Sequence, residues 1–307
     1  MASPQLTEPG NLPPAPGFVD TTVRQIVRVT LAGTKLGLRL SNEFGTAPLT
    51  LTGIQVAPGT PMLSDALEFP VAALSDLAIT LHLRTTATAI TGHPGSRCTS
   101  YLQSGVALAA PELPSAVKVD TTGTFSQESR RWPDYLARRL QADRRNIAVL
   151  NAGIGGNCVI KGGLGPSALA RFDRDVLAQP GVKWLVLFEG INDLGTKSAG
   201  ASELIAAFEQ LATRAQAHGI KVYGATILPC GSSFYYTPEL ERERQALNQW
   251  IRTTRTLDTF LDFDATLRDP QNPTQLSAAA ESNDHLHPEK LGYKVLAESI
   301  PLGLFRL

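Results

Sequence analysis

Apolar side chains recur at every second position in two stretches of the first third of the chain. Leu36, Leu38 and Leu40 are interleaved with Lys35, Gly37 and Arg39, and Leu77, Ile79, Leu81 and Leu83 with Ala78, Thr80, His82 and Arg84. A period of two places one face on a core and the other in water, the pattern of an antiparallel sheet. Segments near 23–31, 49–56 and 116–120 have strand composition as well, with Gly, Pro, Asn and Thr between them. No long helical period interrupts this region. Residues 1–115 therefore predict an antiparallel β-sandwich or jelly-roll-like domain.

From about residue 130 the period changes to alternating helix and strand. Pro133 suits a first helical turn, and Trp132, Tyr135, Leu136 and Leu140 share a face. Strand-like Ile147 to Leu150 follows, and Ser167 is placed to cap a helix whose Leu169, Phe172 and Val176 align. Next come Trp184 to Phe188, a helix from Ser202 through His218, and the strand Ile220 to Leu228. A helix bearing Leu240, Leu247, Trp250 and Ile251, the strand Thr259 to Phe263 and a helix after Pro288 complete the series. Such alternation predicts a parallel sheet covered by helices on both faces, with ligands at the carboxyl ends of its strands. The second domain is accordingly set at 116–307.

Composition narrows the classes of function. The 307 residues are 43% hydrophobic and 18% charged, within the globular range. Twenty-eight basic residues balance 28 acidic ones, which gives no electrostatic reason to expect nucleic acid or an anionic membrane as a partner. The longest strongly apolar run, Trp184 to Phe188, is far too short for a membrane span. Residues 1–20 are rich in Pro and Gly and lack the basic start and apolar core of a signal peptide. That fits either retention in the cell or secretion after a leader was removed. Cys98, Cys158 and Cys230 are too few and too scattered for a disulfide framework or a zinc motif, and read as small buried thiols.

Three short runs carry candidate chemistry. In Asn283-Asp284-His285-Leu286-His287-Pro288 an Asp stands three residues before a His. One turn at that spacing brings both side chains to one point, where the carboxylate fixes the imidazole tautomer and stabilises the imidazolium. Upstream lie Asn151-Ala152-Gly153-Ile154-Gly155-Gly156-Asn157 and Gly190-Ile191-Asn192-Asp193, each after an apolar strand-like segment. Singly, each residue has a plain structural role open to it. Gly156 suits a tight turn, Asn192 a loop bonding its own backbone, and His287 an exposed position before Pro288. Asp284, His285 and His287 do not make a metal site, because the other histidines, at 82, 93 and 218, lie elsewhere. No Gly-x-Ser-x-Gly elbow, Gly-x-Gly-x-x-Gly run or P-loop is present.

Together, in this order, the three runs resemble sequence blocks of the SGNH (GDSL-type) ester hydrolases. Ser41-Asn42-Glu43-Phe44-Gly45, Arg131-Trp132-Pro133-Asp134 and the run from Pro166 to Asp173 extend the resemblance to bacterial two-domain members with an N-terminal β-domain. It implies a flavodoxin-like three-layer α/β fold and a serine esterase acting on short acyl or acetyl esters, often of carbohydrates, without metal or organic cofactor. It further implies His287 as base, Asp284 as its orienter, and Gly156 (backbone N–H) and Asn192 (side-chain amide) as oxyanion donors.

One block departs from the family. The Gly-Asp-Ser that carries the nucleophile is absent, and the interval reads Val117-Lys118-Val119-Asp120-Thr121-Thr122-Gly123-Thr124-Phe125-Ser126. Either Thr121 is a weakened nucleophile, or the strand and nucleophile loop are deleted and Val117 to Val119 ends the β-domain. Lys118 favours deletion, because a strand buried on both faces of a parallel sheet is near-continuously apolar. Ser126 and Ser129 sit too close to the following helix to match the family spacing. Two functions follow: an ester hydrolase with impaired chemistry, or a non-catalytic relative that binds an acylated or carbohydrate ligand. A lost central strand leaves backbone groups to be paired, so residues 116–120, a neighbouring element or another chain are expected to fill the gap.

Overall fold

The computed structural model describes residues 4–7, 12, 15, 17–52, 54–85, 91–92, 99–120 and 130–306. They fall into two compact units, 1–129 with 137–155 and 130–136 with 156–307.

The first unit holds β1 (Gln5–Leu6), β2 (Thr21–Arg28), β3 (Gly33–Leu36), β4 (Arg39–Ser41), β5 (Leu49–Leu51), β6 (Ile54–Val56), β7 (Pro61–Leu63), β8 (Leu67–Val71), β9 (Asp76–Thr85), β10 (Thr91–Gly92), β11 (Thr99–Ser104) and β12 (Val117–Asp120). Six of them form one antiparallel sheet in the order β12-β11-β2-β9-β5-β6. The pairs β3–β8, β4–β7 and β1–β10 are separate two-stranded ribbons, so a second continuous sheet is not seen among the described residues. The alternating stretch around Leu36–Leu40 is split, because β3 ends at Leu36 and β4 takes a different partner from Arg39. Val23, Leu51, Leu83 and Leu102 make the core, packed by Phe18, Leu40, Leu49 and Leu81. His82 does not face water as the alternation implied. It is buried, with Nδ1 bonded to the Thr52 hydroxyl at 2.8 Å and Nε2 to Asp20 at 3.0 Å.

The Ser41-Asn42-Glu43-Phe44-Gly45 stretch has a structural reason. Buried Asn42 donates Nδ2 to the carbonyls of Ala47 and Val56, while its own carbonyl accepts the N–H of Gly45 and Gly59. A Cβ at residue 45 would stand 1.9 Å from Asn42 Oδ1, so only glycine lets the loop close over that amide.

β12 runs antiparallel to β11, with Lys118 opposite Tyr101, at the edge of the six-stranded sheet. Residues 117–120 therefore do not fill a gap in the parallel sheet, and Lys118 is exposed on an edge strand, where a lysine also discourages further pairing. Because β12 belongs to this sheet, the contact-based division differs from the 1–115/116–307 division over 116–129 and again over 137–155.

α1 (Trp132–Ala142) crosses from one unit to the other. Asp134 secures its start by accepting Arg131 N–H and Nε, both at 2.9 Å. Residues 147–150 form no strand; apolar, β-branched composition is not enough without a paired neighbour, and Val149 N–H turns to the Thr30 hydroxyl at 3.3 Å.

The second unit contains α2 (Ala168–Phe172), which continues into a π-helical turn over Asp173–Leu177, then β13 (Trp184–Leu187), α3 (Ile191–Gly195), α4 (Ala201–Ala217), β14 (Lys221–Ala225), α5 (Pro238–Thr253), β15 (Thr259–Leu261), α6 (Phe263–Leu267) and α7 (Lys290–Ser299). Ser167 caps α2 as its position implied, accepting Ala170 N–H at 3.3 Å. Thr237 caps α5, with Pro238 in the first turn. β13, β14 and β15 form a three-stranded parallel sheet in sequence order. Val222 faces a large core with Leu204, Leu211, Leu247 and Ile251 from α4 and α5. Tyr223, one residue on, faces the other way, its hydroxyl donating to the Leu304 carbonyl at 2.7 Å and its ring meeting Phe305 edge-on. Both faces are thus covered, as a parallel sheet requires.

Beyond the end of β14, Asn248 accepts Ile227 N–H at 2.6 Å and donates to Ile227 O at 2.8 Å, completing both of that residue's backbone bonds. Fully buried Arg244 donates to the same carbonyl and to Asp264 Oδ1 at 2.8 Å. This network holds the chain that leaves the carboxyl end of the sheet.

Candidate active site

Residues 282–287 form a tight turn organised by one carboxylate. Asp284 Oδ1 accepts the Ser282 hydroxyl at 2.6 Å and the N–H groups of Leu286 and His287, each at 2.9 Å. Its Oδ2 meets His287 Nδ1 at 2.7 Å. Partial burial alone would raise the Asp284 carboxyl, but these four donors outweigh it and hold the group far below the usual carboxylate range. Asp284 thus stays ionised and favours a proton on His287 Nδ1, which leaves the lone pair of the neutral ring on Nε2. The turn is closed by Ser282 N–H to His287 O and an antiparallel bridge between Glu281 and Pro288. α7 approaches it through Gly292, where a Cβ would lie 2.8 Å from Ala280 O. His285 takes φ +56° in the turn, and its ring bonds Glu281 at 2.7 Å.

A second cluster gathers around Asn157. Gly156 has φ +70°, a left-handed conformation that favours glycine, and a Cβ there would stand 2.8 Å from Leu164 Cδ1 and push that exposed side chain aside. Its N–H has no partner among the described residues, and the residue is exposed. Fully buried Asn157 donates Nδ2 to the carbonyls of Gly162, Leu164 and Pro166, while its Oδ1 accepts Arg171 Nε and a terminal nitrogen at 3.1 and 3.0 Å. The Asn157 backbone carbonyl accepts Asn192 Nδ2 at 2.9 Å. Asn192 is therefore tied to the residue that follows Gly156.

β13 delivers Asn192. Beyond Leu187 the chain passes Glu189 and turns at Gly190, whose φ of +115° only glycine holds without strain, into α3. Buried Asp193 accepts the N–H groups of Val159 and Ile160 at 2.9–3.2 Å, locking α3 to the glycine loop. Burial raises its carboxyl even so, against those bonds. Burial also raises Glu189, to about 7, against the pull of the Arg171 guanidinium 3.7 Å away and with Asp193 pushing the same way.

Of the residues singled out in the sequence, Asp284 and His287 are joined directly, and Gly156 and Asn192 through Asn157. No hydrogen bond links the two pairs among the described residues. Thr121, Ser126 and Ser129 lie outside the described residues. Sequence reasoning passed over Asn157 and Arg171, although Asn157 closes the same Asn/Gly run and Arg171 sits inside the Pro166–Asp173 stretch. Cys158 and Cys230 are free and buried, and burial raises both thiols. No cluster of three His, Cys, Asp or Glu able to hold a metal occurs among the described residues, and none of their helices is long and apolar enough to cross a membrane.

Comparison with known proteins follows the same stretch of chain. A profile of the GDSL-like lipase/acylhydrolase family matches residues 119–295. Among solved structures the chain is similar to a candidate lipolytic protein of the G-D-S-L family from Desulfitobacterium hafniense, with 23% identity over 56% of this chain and 86% of that one, at a TM-score of 0.45. It is also similar to a GDSL-like lipase from Bacteroides thetaiotaomicron (19% identity, 54% and 78% covered, TM-score 0.42). A third match is the acetylxylan esterase Axe2 from Geobacillus stearothermophilus (24% identity, 55% and 78% covered, TM-score 0.43). No curated protein matches.

Proposed function

For a chain that belongs to the GDSL-like lipase/acylhydrolase family, we propose carboxylic ester hydrolysis of the SGNH type on short acyl or acetyl esters, small or carbohydrate-borne. His287 is the base, Asp284 its orienter, and Gly156 N–H and the Asn192 amide the oxyanion donors. The Asp284–His287 bond of 2.7 Å carries this reading. The carboxylate is fixed by the turn it organises and stays ionised, so it can set the tautomer of the half-exposed imidazole and stabilise the imidazolium. The Gly156 N–H, without a partner among the described residues, is the kind of fixed donor that stabilises a developing oxyanion.

The proposal includes impaired chemistry. Val117–Asp120 is spent in the antiparallel sheet, which favours deletion of the nucleophile strand over a nucleophile at Thr121. The same observation supports a second reading, a non-catalytic relative that keeps the donors to bind an acylated or carbohydrate ligand.

The test compares hydrolysis of p-nitrophenyl acetate by the chain, Thr121→Ala and His287→Ala. We expect feeble turnover that His287→Ala abolishes and Thr121→Ala leaves intact, the imidazole acting through water. Loss in both variants would instead make Thr121 the nucleophile. Absence of turnover together with calorimetric binding of an acetylated sugar selects the second reading, and vigorous turnover indifferent to both changes sinks the mechanism.

A further inference from the structure

Asn192 is held from two sides, and only one of its holders lies in the glycine loop. Its Nδ2 donates to the Asn157 carbonyl at 2.9 Å, and its Oδ1 accepts the hydroxyl of Tyr235 at 3.3 Å. The carbonyl is acceptor-only, so it decides which end of the amide faces the loop. The phenol, from the segment after β14, then decides the tilt of the amide plane. An amide nitrogen carries two hydrogens. With one committed to Asn157, the tilt sets where the other points.

The seat of the Tyr235 ring is a separate observation. Gly195 stands one helical turn after Asn192 in α3, and a Cβ there would fall 2.4 Å from Tyr235 Cγ and Cδ2. The ring lies across bare backbone, and that close approach is what lets its hydroxyl reach back to Asn192. Residues on both sides of it are pinned too: Gly231 N–H donates to Thr274 O at 2.7 Å, Ser233 N–H to Cys230 O, and Tyr236 N–H to Ser233 O. Burial raises the Tyr235 phenol, with the nearby Cys158 adding to it, so the hydroxyl keeps its proton at neutral and mildly alkaline pH.

We propose that Tyr235 is a positioning residue that sets the direction of the second Asn192 N–H, which has no partner among the described residues, with Gly195 as the seat that makes this possible. The proposal rests on the ester-site reading, in which that N–H serves a developing or product carboxylate oxygen. No part of it requires a nucleophile.

The experiment uses the full chain labelled with 15N-asparagine, the Asn192 side-chain signals being assigned by their loss in Asn192→Asp. Sodium acetate, the product of acetyl-ester cleavage, is titrated into wild type, Tyr235→Phe and Tyr236→Phe. One neutral hydrogen bond of this kind makes a difference of about threefold to tenfold in affinity. We expect Tyr235→Phe to displace the two Asn192 amide hydrogens before any acetate is added, and to weaken acetate by about that factor. Its backbone spectrum and melting temperature should otherwise follow wild type, and Tyr236→Phe should change neither readout. Asn192 signals of Tyr235→Phe that superpose on wild type would overturn the proposal. If acetate leaves Asn192 untouched in wild type, the ester-site reading fails, while the acetate-free comparison still decides whether Tyr235 orients the amide.

Discussion

The two units are stabilised in opposite ways. The N-terminal one is rich in strand pairing and poor in core. Among the described residues its six-stranded sheet buries four apolar side chains in one cluster, and Leu63, Leu67 and Phe69 remain exposed. The C-terminal one pairs only three strands yet packs a continuous core from β13 and β14 through α4 and α5, with buried polar networks at the carboxyl end of the sheet. Backbone pairing organises a surface, whereas packed side chains position groups to within the tolerance that chemistry needs. Every candidate site residue described above lies in the second unit.

The strongest way to break that contrast is to remove a buried charge from the second unit. Arg244 is fully buried and donates to Ile227 O, Glu241 and Asp264. Arg252 and Arg268 stay at Asp264 in Arg244→Ala, but the lost charge-assisted bonds and the vacated volume together cost about 3–5 kcal/mol. Trp132, Trp184 and Trp250 are the only tryptophans and all belong to this unit. Their fluorescence during urea unfolding reads the loss directly, and an unshifted midpoint would refute the assignment of Arg244 as a structural centre.

Leu102→Ala tests the other side. Leu102 is 1% exposed and one of four side chains in its cluster, and truncation there costs about 2–5 kcal/mol. Faster amide exchange in β2, β9 and β11 is the expected result. Unchanged exchange in those strands would mean that pairing alone sustains the sheet.

The smallest effect concerns pH. Glu189 titrates near 7 in the folded chain against an ordinary value of 4.5. Between those values the folded state holds a proton that the unfolded state has released, so stability falls as pH rises through the window and stays lower above it. Glu189→Gln removes that cost, gaining on the order of 1–2 kcal/mol at pH 8 and nothing at pH 4, the partial exposure of the side chain limiting the gain. Denaturation midpoints at the two pH values check it; equal gains at both would show that Glu189 is not the titrating group.

Much of this was legible in the chain because it depends on neighbours in sequence. The Asp284-His285-Leu286-His287 turn, the Ser167 cap and the long helices α4 and α5 follow from local spacing, and the structure bears them out. The strand expected at 147–150 did not form, since a strand is a property of a pair and its partner was not written nearby. His82 alternated like a solvent-facing residue but was captured by Thr52 and Asp20, residues 30 and 62 positions away. Tyr235 and Arg244 gave no signal, and Asn157 and Arg171 sat inside the runs that did without showing what they bond, for the same reason: a polar side chain declares itself only through the distant groups that satisfy it.

The turn that carries His287 has a consequence for its persistence. Every bond that orients the imidazole begins and ends between Ser282 and His287, six consecutive residues. Such an arrangement is written at short range, so it survives changes elsewhere in the chain that leave one hexapeptide intact. The glycine loop is the reverse case, assembled from segments up to 35 residues apart. On the ester-site reading proposed above, an engineer supplying hydroxyl chemistry would therefore find the proposed proton acceptor already oriented. The effort would go into delivering a serine to it, and into keeping the long-range half of the constellation in register while doing so.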